Sequence, residues 1–443
     1  MAKLIIGHTT HNSVKIWVRG EERWPVAFVD VYDSGDRKKG DTSILELREQ
    51  EFFTATTVRT ELSADKIYKI KVSFGKSSAD EPEERIREAY TTAKIKTFPC
   101  PTSNDKFTFM FGSCNLHSLG FIKNPDKIWT RVSNVAESLG ARFMLHCGDQ
   151  IYADIPRKPR RSPDHYRKKY LDAWEDCVPA RRFLTECPHY MILDDHEITN
   201  NFDNDMDDAK DIQSLKRFAL QTYYEFQHSH NPDTPDNERD GRQYYYQFSY
   251  GKAQYFVMDT RTRRSQANGE IIDGDQLVAI KSWLESNRSE IKFIVTSVPF
   301  LSQRKKSKGD KWSADEFIDQ RNELLKYIFD QDIQRIVFLT GDMHTSYHGS
   351  LKMTDNERSI TIHELMSSPL NQFTPTTRLK DEYHSPYDSS IGPIKLKSVI
   401  TASSFYGSHS NVMAVTVDDP RIRYKIYRTS EKEPVAINKS FTI

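Results

Sequence analysis

Three apolar runs of this chain each end abruptly in Asp or His. Tyr190-Met191-Ile192-Leu193 runs into Asp194-Asp195-His196-Glu197. Phe143-Met144-Leu145-His146-Cys147 runs into Gly148-Asp149-Gln150-Ile151-Tyr152. Arg335-Ile336-Val337-Phe338-Leu339-Thr340 runs into Gly341-Asp342-Met343-His344. Short apolar runs bounded by turn residues read as buried strands. Carboxylates and imidazoles gathered at buried strand ends are costly to desolvate unless positive charge lies among them. The pattern therefore predicts a sheet whose carboxyl edge carries a metal centre.

The bulk numbers fit that expectation. A chain of 443 residues, 37% hydrophobic and 28% charged, suits two or three soluble domains with a sizeable core. Lys plus Arg equals Asp plus Glu at 63 each, which argues against bulk electrostatic capture of nucleic acid or membrane. No stable nucleic-acid complex and no membrane partner are expected, and the oligomeric state is left open. The start, Met1-Ala2-Lys3-Leu4-Ile5-Ile6, passes straight into strand-like sequence without a leader-type apolar region, and no apolar window reaches transmembrane length. The expected location is cytoplasmic. Five cysteines without framework spacing (Cys100, Cys114, Cys147, Cys177, Cys187) fit reduced thiols.

Residues 1–98 read as a small all-β sandwich, with alternating or β-branched runs at Ser13–Arg19, Val26–Tyr32 and Lys66–Val72. Phe98-Pro99-Cys100-Pro101 opens a linker, and residues 99–443 form the second unit. There strands at 107–112, 143–147, 190–193, 244–249, 253–258, 292–297 and 335–340 alternate with helices at 127–139, 164–176, 179–186, 207–227, 275–287 and 314–329. Strands return at 411–417 and 423–427. The class is α/β with a mixed sheet.

Several strand tips carry usable chemistry. Gly148 lets the backbone bend, and Asp149 can bridge two cations through its two oxygens; capping a helix is the ordinary alternative. Tyr152 adds a phenol one turn on. Asp342 and His344 offer two ligands at i and i+2. His196, beside Asp195, binds metal as a neutral imidazole or protonates a leaving oxygen as an imidazolium. Asn200 and Asn201 add a neutral oxygen or simply make a turn. Cys114, after the strand 107–112, reads by itself as a small buried hydrophobe.

Five segments in order carry a resemblance: Gly112-Ser113-Cys114, Gly148-Asp149 with Tyr152, Asp194-Asp195-His196-Glu197 with Asn200-Asn201, Met258-Asp259-Thr260-Arg261, and Gly341-Asp342-Met343-His344. Together they resemble the PhoD-type alkaline phosphatase family of metallophosphoesterases, over roughly 106–350 and on to about 420. The resemblance implies a four-layer α/β/β/α core behind an N-terminal β-sandwich, and an Fe(III) site partnered by Ca²⁺. Cys114, Asp149, Tyr152 and His344 would hold the iron. Asp149, Asp195, Asp342 and one of Asn200 and Asn201 would hold the second cation. Thiolate, phenolate and imidazole suit a ferric ion, and carboxylate and amide oxygens suit calcium. Mn²⁺, Mg²⁺ or Zn²⁺ remain alternatives at the second position. The commoner metallophosphoesterase pattern has more histidine; here Cys114, Asp195 and Asp342 replace it or its Asn companion.

The implied reaction is hydrolysis of a phosphomonoester or phosphodiester by a metal-bound hydroxide at a binuclear site. His196 would serve the departing oxygen, and Arg261 would either meet a phosphate oxygen or form a structural salt bridge with Asp259. Three basic stretches follow strands expected to end at the site: Arg157–Lys169, Arg261 with Arg263 and Arg264, and Arg304, Lys305, Lys306, Lys308 and Lys311. They suggest a substrate carrying more than one phosphate, such as a phosphorylated metabolite or nucleotide. A phospholipase D-like phosphodiesterase and a non-catalytic scaffold with a degenerate site are the competing readings.

Overall fold

The computed structural model describes residues 3–82, 84–119, 122–123, 127–206, 209–237, 241–304, 309–372, 380–384, 388–407, 409–429 and 435–443. Two sheets form its centre. One has six strands, in the spatial order His189–Ile192, Met144–Cys147, Phe107–Gly112, Asn411–Asp418, Arg421–Arg428 and Val435–Thr442. The other has eight, and four neighbours within it, Ala253–Val257, Lys292–Val295, Ile336–Thr340 and Ser359–Met366, are parallel.

Side-chain alternation explains why the sheets stack. Along a strand, successive residues face opposite sides. Phe109, Phe111, Leu145, Phe293, Val295, Val337 and Leu339 point into one shared core between the sheets. Phe109 packs edge-on against Phe293 at 5.3 Å and Tyr255 at 5.7 Å. The intervening residues face outward onto helices. Met110 and Met144 meet Trp129 and Val132 of the helix Lys127–Leu139. Ile294, Ile336 and Phe338 meet Ile280, Leu284, Leu325 and Ile328 of the helices Gly274–Ser286 and Ile318–Asp330. The result is helix, sheet, sheet, helix, as expected.

The N-terminal segment forms a three-stranded and a four-stranded antiparallel sheet around their own core. It is also fastened to the rest. Trp17 donates its indole N–H to the Glu225 carbonyl at 2.7 Å, and Arg19 and Lys3 both pair with the buried Glu175. No described helix is long and apolar enough to cross a membrane.

Most expected elements lie within a few residues of their sequence positions. The helix expected at 207–227 runs from Ala209 to Phe226, residues 207 and 208 lying outside the described residues. The helix expected at 164–176 is α-helical over Pro163–Tyr170 and continues as a π-helical turn at Leu171–Glu175. Five strands of the two central sheets went unread in the sequence: Tyr347–Thr354, Ser359–Met366, Asp388–Ile391, Ile394–Ile400 and Val435–Thr442. One of them, Ser359–Met366, lies parallel to Ile336–Thr340 and delivers Ser367 and Ser368 to the same sheet edge.

Candidate metal centre

The six-stranded sheet has its own parallel trio, Phe107–Gly112, Met144–Cys147 and His189–Ile192. All these parallel strands point their carboxyl ends to one place, the position where α/β sheets hold ligands. Two glycines allow the tips to close. A Cβ on Gly148, whose φ is +90°, would lie 2.5 Å from the Asp194 Cβ. A Cβ on Gly341 would lie 2.5 Å from Ser113 Oγ and 2.6 Å from the Cys147 carbonyl. The Gly-Asp pairs are therefore demanded by close approach of the strand ends.

The tips bring the expected residues together. Cys114 Sγ and the Tyr152 hydroxyl each lie 3.3 Å from Asp149 Oδ2, and the same hydroxyl lies 3.5 Å from His344 Nε2. Ligand oxygens of Asp149, Asp195 and a nitrogen of His196 fall within 4.8 Å of one another, as do oxygens of Asp149, Asp194 and Asp342. Metal–ligand bonds of about 2.0–2.6 Å place neighbouring ligands of one ion roughly 3–4 Å apart. Three buried carboxylate oxygens, Asp149 Oδ1, Asp194 Oδ2 and Asp195 Oδ1, have no hydrogen-bond partner among the described residues. Buried carboxylates left in this way call for a cation. The residues thus fit a metal pair. Asp194, not named in the sequence reading as a ligand, joins the candidates.

The backbone here is unusual. Cys114, Asp149, Asn201, Asp342 and His344 all have positive φ, between 52° and 73°. Asp, Asn and His tolerate that region, whereas for Cys114 it is a strained choice of about 1–3 kcal/mol. Such strain persists where the surroundings overdetermine it. Cys114 is gripped by its N–H to the Gly148 carbonyl and its carbonyl to the Asn371 N–H.

Burial and mutual repulsion dominate the titration of the cluster without cations. Burial, reinforced by neighbouring carboxylates, raises Asp149, and burial raises the Cys114 thiol and the Tyr152 phenol. Burial lifts Asp342 to about 6 against the pull of Lys311. For Asp195, burial is the largest single influence and pushes upward, but the Arg261 guanidinium, His196 and the Asn201 N–H together hold the carboxyl below its usual range. For His196, burial opposes charge, but Asp195, Asp149 and Asp154 hold the imidazolium well above the usual histidine range.

Three residues organise the site in ways the sequence did not show: Asp154, which it passed over, and Glu197 and Lys311, which it named without these roles. Asp154 accepts from His196 Nδ1 at 2.7 Å and from the Asn200 N–H at 2.9 Å. The His196 ring also lies 4.1 Å from that of Tyr152. Glu197, fully buried, accepts the backbone N–H groups of Asp149 at 3.0 Å, Gln150 at 2.6 Å and Asp194 at 2.9 Å, so one carboxylate sets two ligand-bearing tips. Lys311, read as part of a basic rim, is instead buried, with its ammonium on Asp310 and Asp342. The neighbouring Lys305, Lys306 and Lys308 lie outside the described residues.

Two expectations are corrected. Arg261 does not face a substrate: its guanidinium is buried and donates to Asp194, to Asp310 at 2.7 and 3.3 Å, and to the Phe202 carbonyl. It shapes the site through Asp194. Replacing it by Met should lower stability by about 3–5 kcal/mol, the scale of stranding a buried ion-pair partner. Urea unfolding measures this, and a change below 1 kcal/mol (less than ~tenfold in the equilibrium) would contradict it. Asn200 and Asn201 enter through their backbone. Asn200 N–H serves Asp154, Asn201 N–H serves Asp195, and both residues are exposed.

This arrangement of paired sheets is the metallophosphoesterase fold. A solved structure of PhoD matches it with a TM-score of 0.76 at 19% identity, covering 99% of this chain and 89% of that one. A purple acid phosphatase from yellow lupin (Lupinus luteus) seeds matches with a TM-score of 0.61 at 11% identity, covering 100% and 74%. The chain belongs to the PhoD-like phosphatase family, whose model matches residues 109–419, well over half its length. It is 26% identical to alkaline phosphatase D of Bacillus subtilis (strain 168) over 331 residues, 62% of this chain and 52% of that protein. The chain thus spans about half the length of that curated relative.

Proposed function

We propose that this protein hydrolyses phosphate esters with the help of two bound cations. The observation that carries this is the run of contacts from Cys114 to Asp149 to Tyr152 to His344, at 3.3, 3.3 and 3.5 Å, beside three buried carboxylate oxygens that have no hydrogen-bond donor among the described residues. Cys114, Asp149, Tyr152 and His344 would hold Fe(III). Asp149, Asp195 and Asp342 would hold Ca²⁺ or another divalent ion. Bound cations would supply Lewis acidity and a countercharge for phosphate oxygens.

The chain's own groups do the rest. Asp154 accepts the His196 Nδ1–H and so leaves Nε2 as the site from which a proton passes to the departing oxygen. The Tyr152 ring, lying against the imidazole, limits its rotation.

Elemental analysis of protein purified without added metal, with p-nitrophenyl phosphate and bis-p-nitrophenyl phosphate assays, tests the reading. Iron with a second metal and monoester turnover is the expected result. Turnover of the diester alone would favour a phosphodiesterase, and metal-free, inactive protein a scaffold.

A substrate with several phosphates is favoured by one surface feature. Arg157, Lys158 and Arg160 are exposed on the loop that leaves Asp154, followed by Arg161, which pairs with Asp211. The kcat/KM for a diphosphate compound should exceed that for a simple monoester, and the advantage should shrink across a rising salt series. A flat response without preference removes this refinement alone.

A further inference from the structure

Behind the sulfur of Cys114 stand two serine hydroxyls, from segments far apart in the chain. Ser368 Oγ lies 3.2 Å from Cys114 Sγ, and Ser113 Oγ lies 3.4 Å from it. All three residues are completely buried. Each hydroxyl also accepts a backbone N–H from the ligand-bearing Gly341–His344 turn: Ser113 from Asp342 at 3.1 Å, Ser368 from His344 at 3.1 Å.

A serine hydroxyl has one hydrogen to donate. Ser113 can spend it on the Ser367 carbonyl, 3.2 Å away. Ser368 directs its own to sulfur while its oxygen receives His344. Accepting a bond polarises a hydroxyl and strengthens the one it donates. The Ser368 main chain is held independently of this hydroxyl. Its N–H donates to Ser346 Oγ at 3.1 Å, and its carbonyl accepts from Asn411 Nδ2 at 3.2 Å. Ser346 is in turn fixed by Asn411 Oδ1 at 2.6 Å. A rigid backbone thus presents one hydroxyl to two ligands at once.

We propose that Ser368 is a positioning residue of the metal centre: its hydroxyl bonds the Cys114 sulfur and the His344 backbone together, fixing the spacing of thiolate and imidazole. This rests on the metal-centre reading given above. The hydrogen bond also draws electron density from sulfur, weakening the donor strength of the thiolate, while the geometric constraint raises affinity by pre-organisation. Outer-sphere partners of this kind are typically worth about 10–100-fold in metal affinity.

The test uses the full chain stripped of metal and titrated with Co²⁺ alone, following affinity and the sulfur-to-cobalt charge-transfer band. Ser368→Ala should bind Co²⁺ at least ~10-fold more weakly and move the band to lower energy, because an unbonded thiolate is easier to oxidise. Ser368→Thr keeps the hydroxyl and should restore both. Ser368→Cys offers a weaker donor in similar space and should give an intermediate band; it replaces the alanine variant should that one fail to fold. A wild-type band and affinity in the alanine or cysteine variant overturns the proposal. Loss of affinity with an unmoved band reduces Ser368 to general structural support and overturns it equally. Cys114→Ser is the separate control: if it keeps the wild-type band, the metal-centre reading itself fails at Cys114.

Discussion

Asp149→Ala should abolish tight metal binding and lower kcat/KM together, by about 10³-fold or more, at least the scale of removing a single charge-stabilising group. Asp149 contacts Cys114, Tyr152 and the carboxylate cluster at once. Elemental analysis and turnover should therefore fall in parallel, and turnover surviving with one metal retained would disprove the bridging role. The metal-free protein offers a second readout with the opposite sign. Burial raises the folded pKa of Asp149 above its ordinary value of 3.8. The folded state then holds its proton while the unfolded state has lost it, so stability falls as pH rises from about 4 toward the raised value. Asp149→Asn, which tolerates the positive φ, should remove this loss and stabilise the metal-free protein at neutral pH. Added metal should stabilise wild type and do little for the variant. Opposite effects with and without metal are what a binding site, and not a packing site, would produce.

His196→Ala should keep its metal and lose rate, by about 10²-fold, the usual contribution of one general acid. The ring is part-buried, bonded to Asp154 and laid against the Tyr152 ring, and it is not among the ligands proposed above. The pH profile separates proton donation from mere support. Neighbouring carboxylates raise the imidazolium above the usual histidine range, so the acid form persists through neutrality and its contribution fades as pH climbs past that raised value. Asp154→Asn weakens one of those carboxylate effects and should move the alkaline limb to lower pH. An unchanged profile in Asp154→Asn, with normal turnover in His196→Ala, would leave no proton-transfer role for the pair.

The sequence carried the strand tips well because they are local features. An apolar run followed by Gly-Asp or Asp-Asp-His is legible within ten residues, and so are the strand alternation and helix periodicity that build the layers. The strand Ser359–Met366 was missed because His363 and Glu364 interrupt its apolar pattern. Glu364 is nonetheless fully buried, since the Phe300 and Leu301 N–H groups and the Tyr347 hydroxyl satisfy its oxygens. A pattern reading treats such a residue as a break; only its partners, some 60 residues away, make it a core residue.

The same limit explains Arg261 and Lys311. From the chain alone both are cations beyond strand ends, free to meet an anionic substrate. In the fold, Arg261 finds Asp310, 49 residues away, and Lys311 finds Asp342. Charge is legible in a sequence, but whether it is already neutralised is not.

The order of residues was sufficient to mark which polar residues stand at strand ends and that parallel strands would bring those ends to one edge, because both follow from short-range chemistry and from strand direction. Only the folded chain decided who holds whom: Glu197 beneath Asp149, Asp154 behind His196, Ser368 against Cys114 across 254 positions. Hydrogen bonds and ion pairs act over a few ångströms, and folding is what brings distant parts of a chain within that reach.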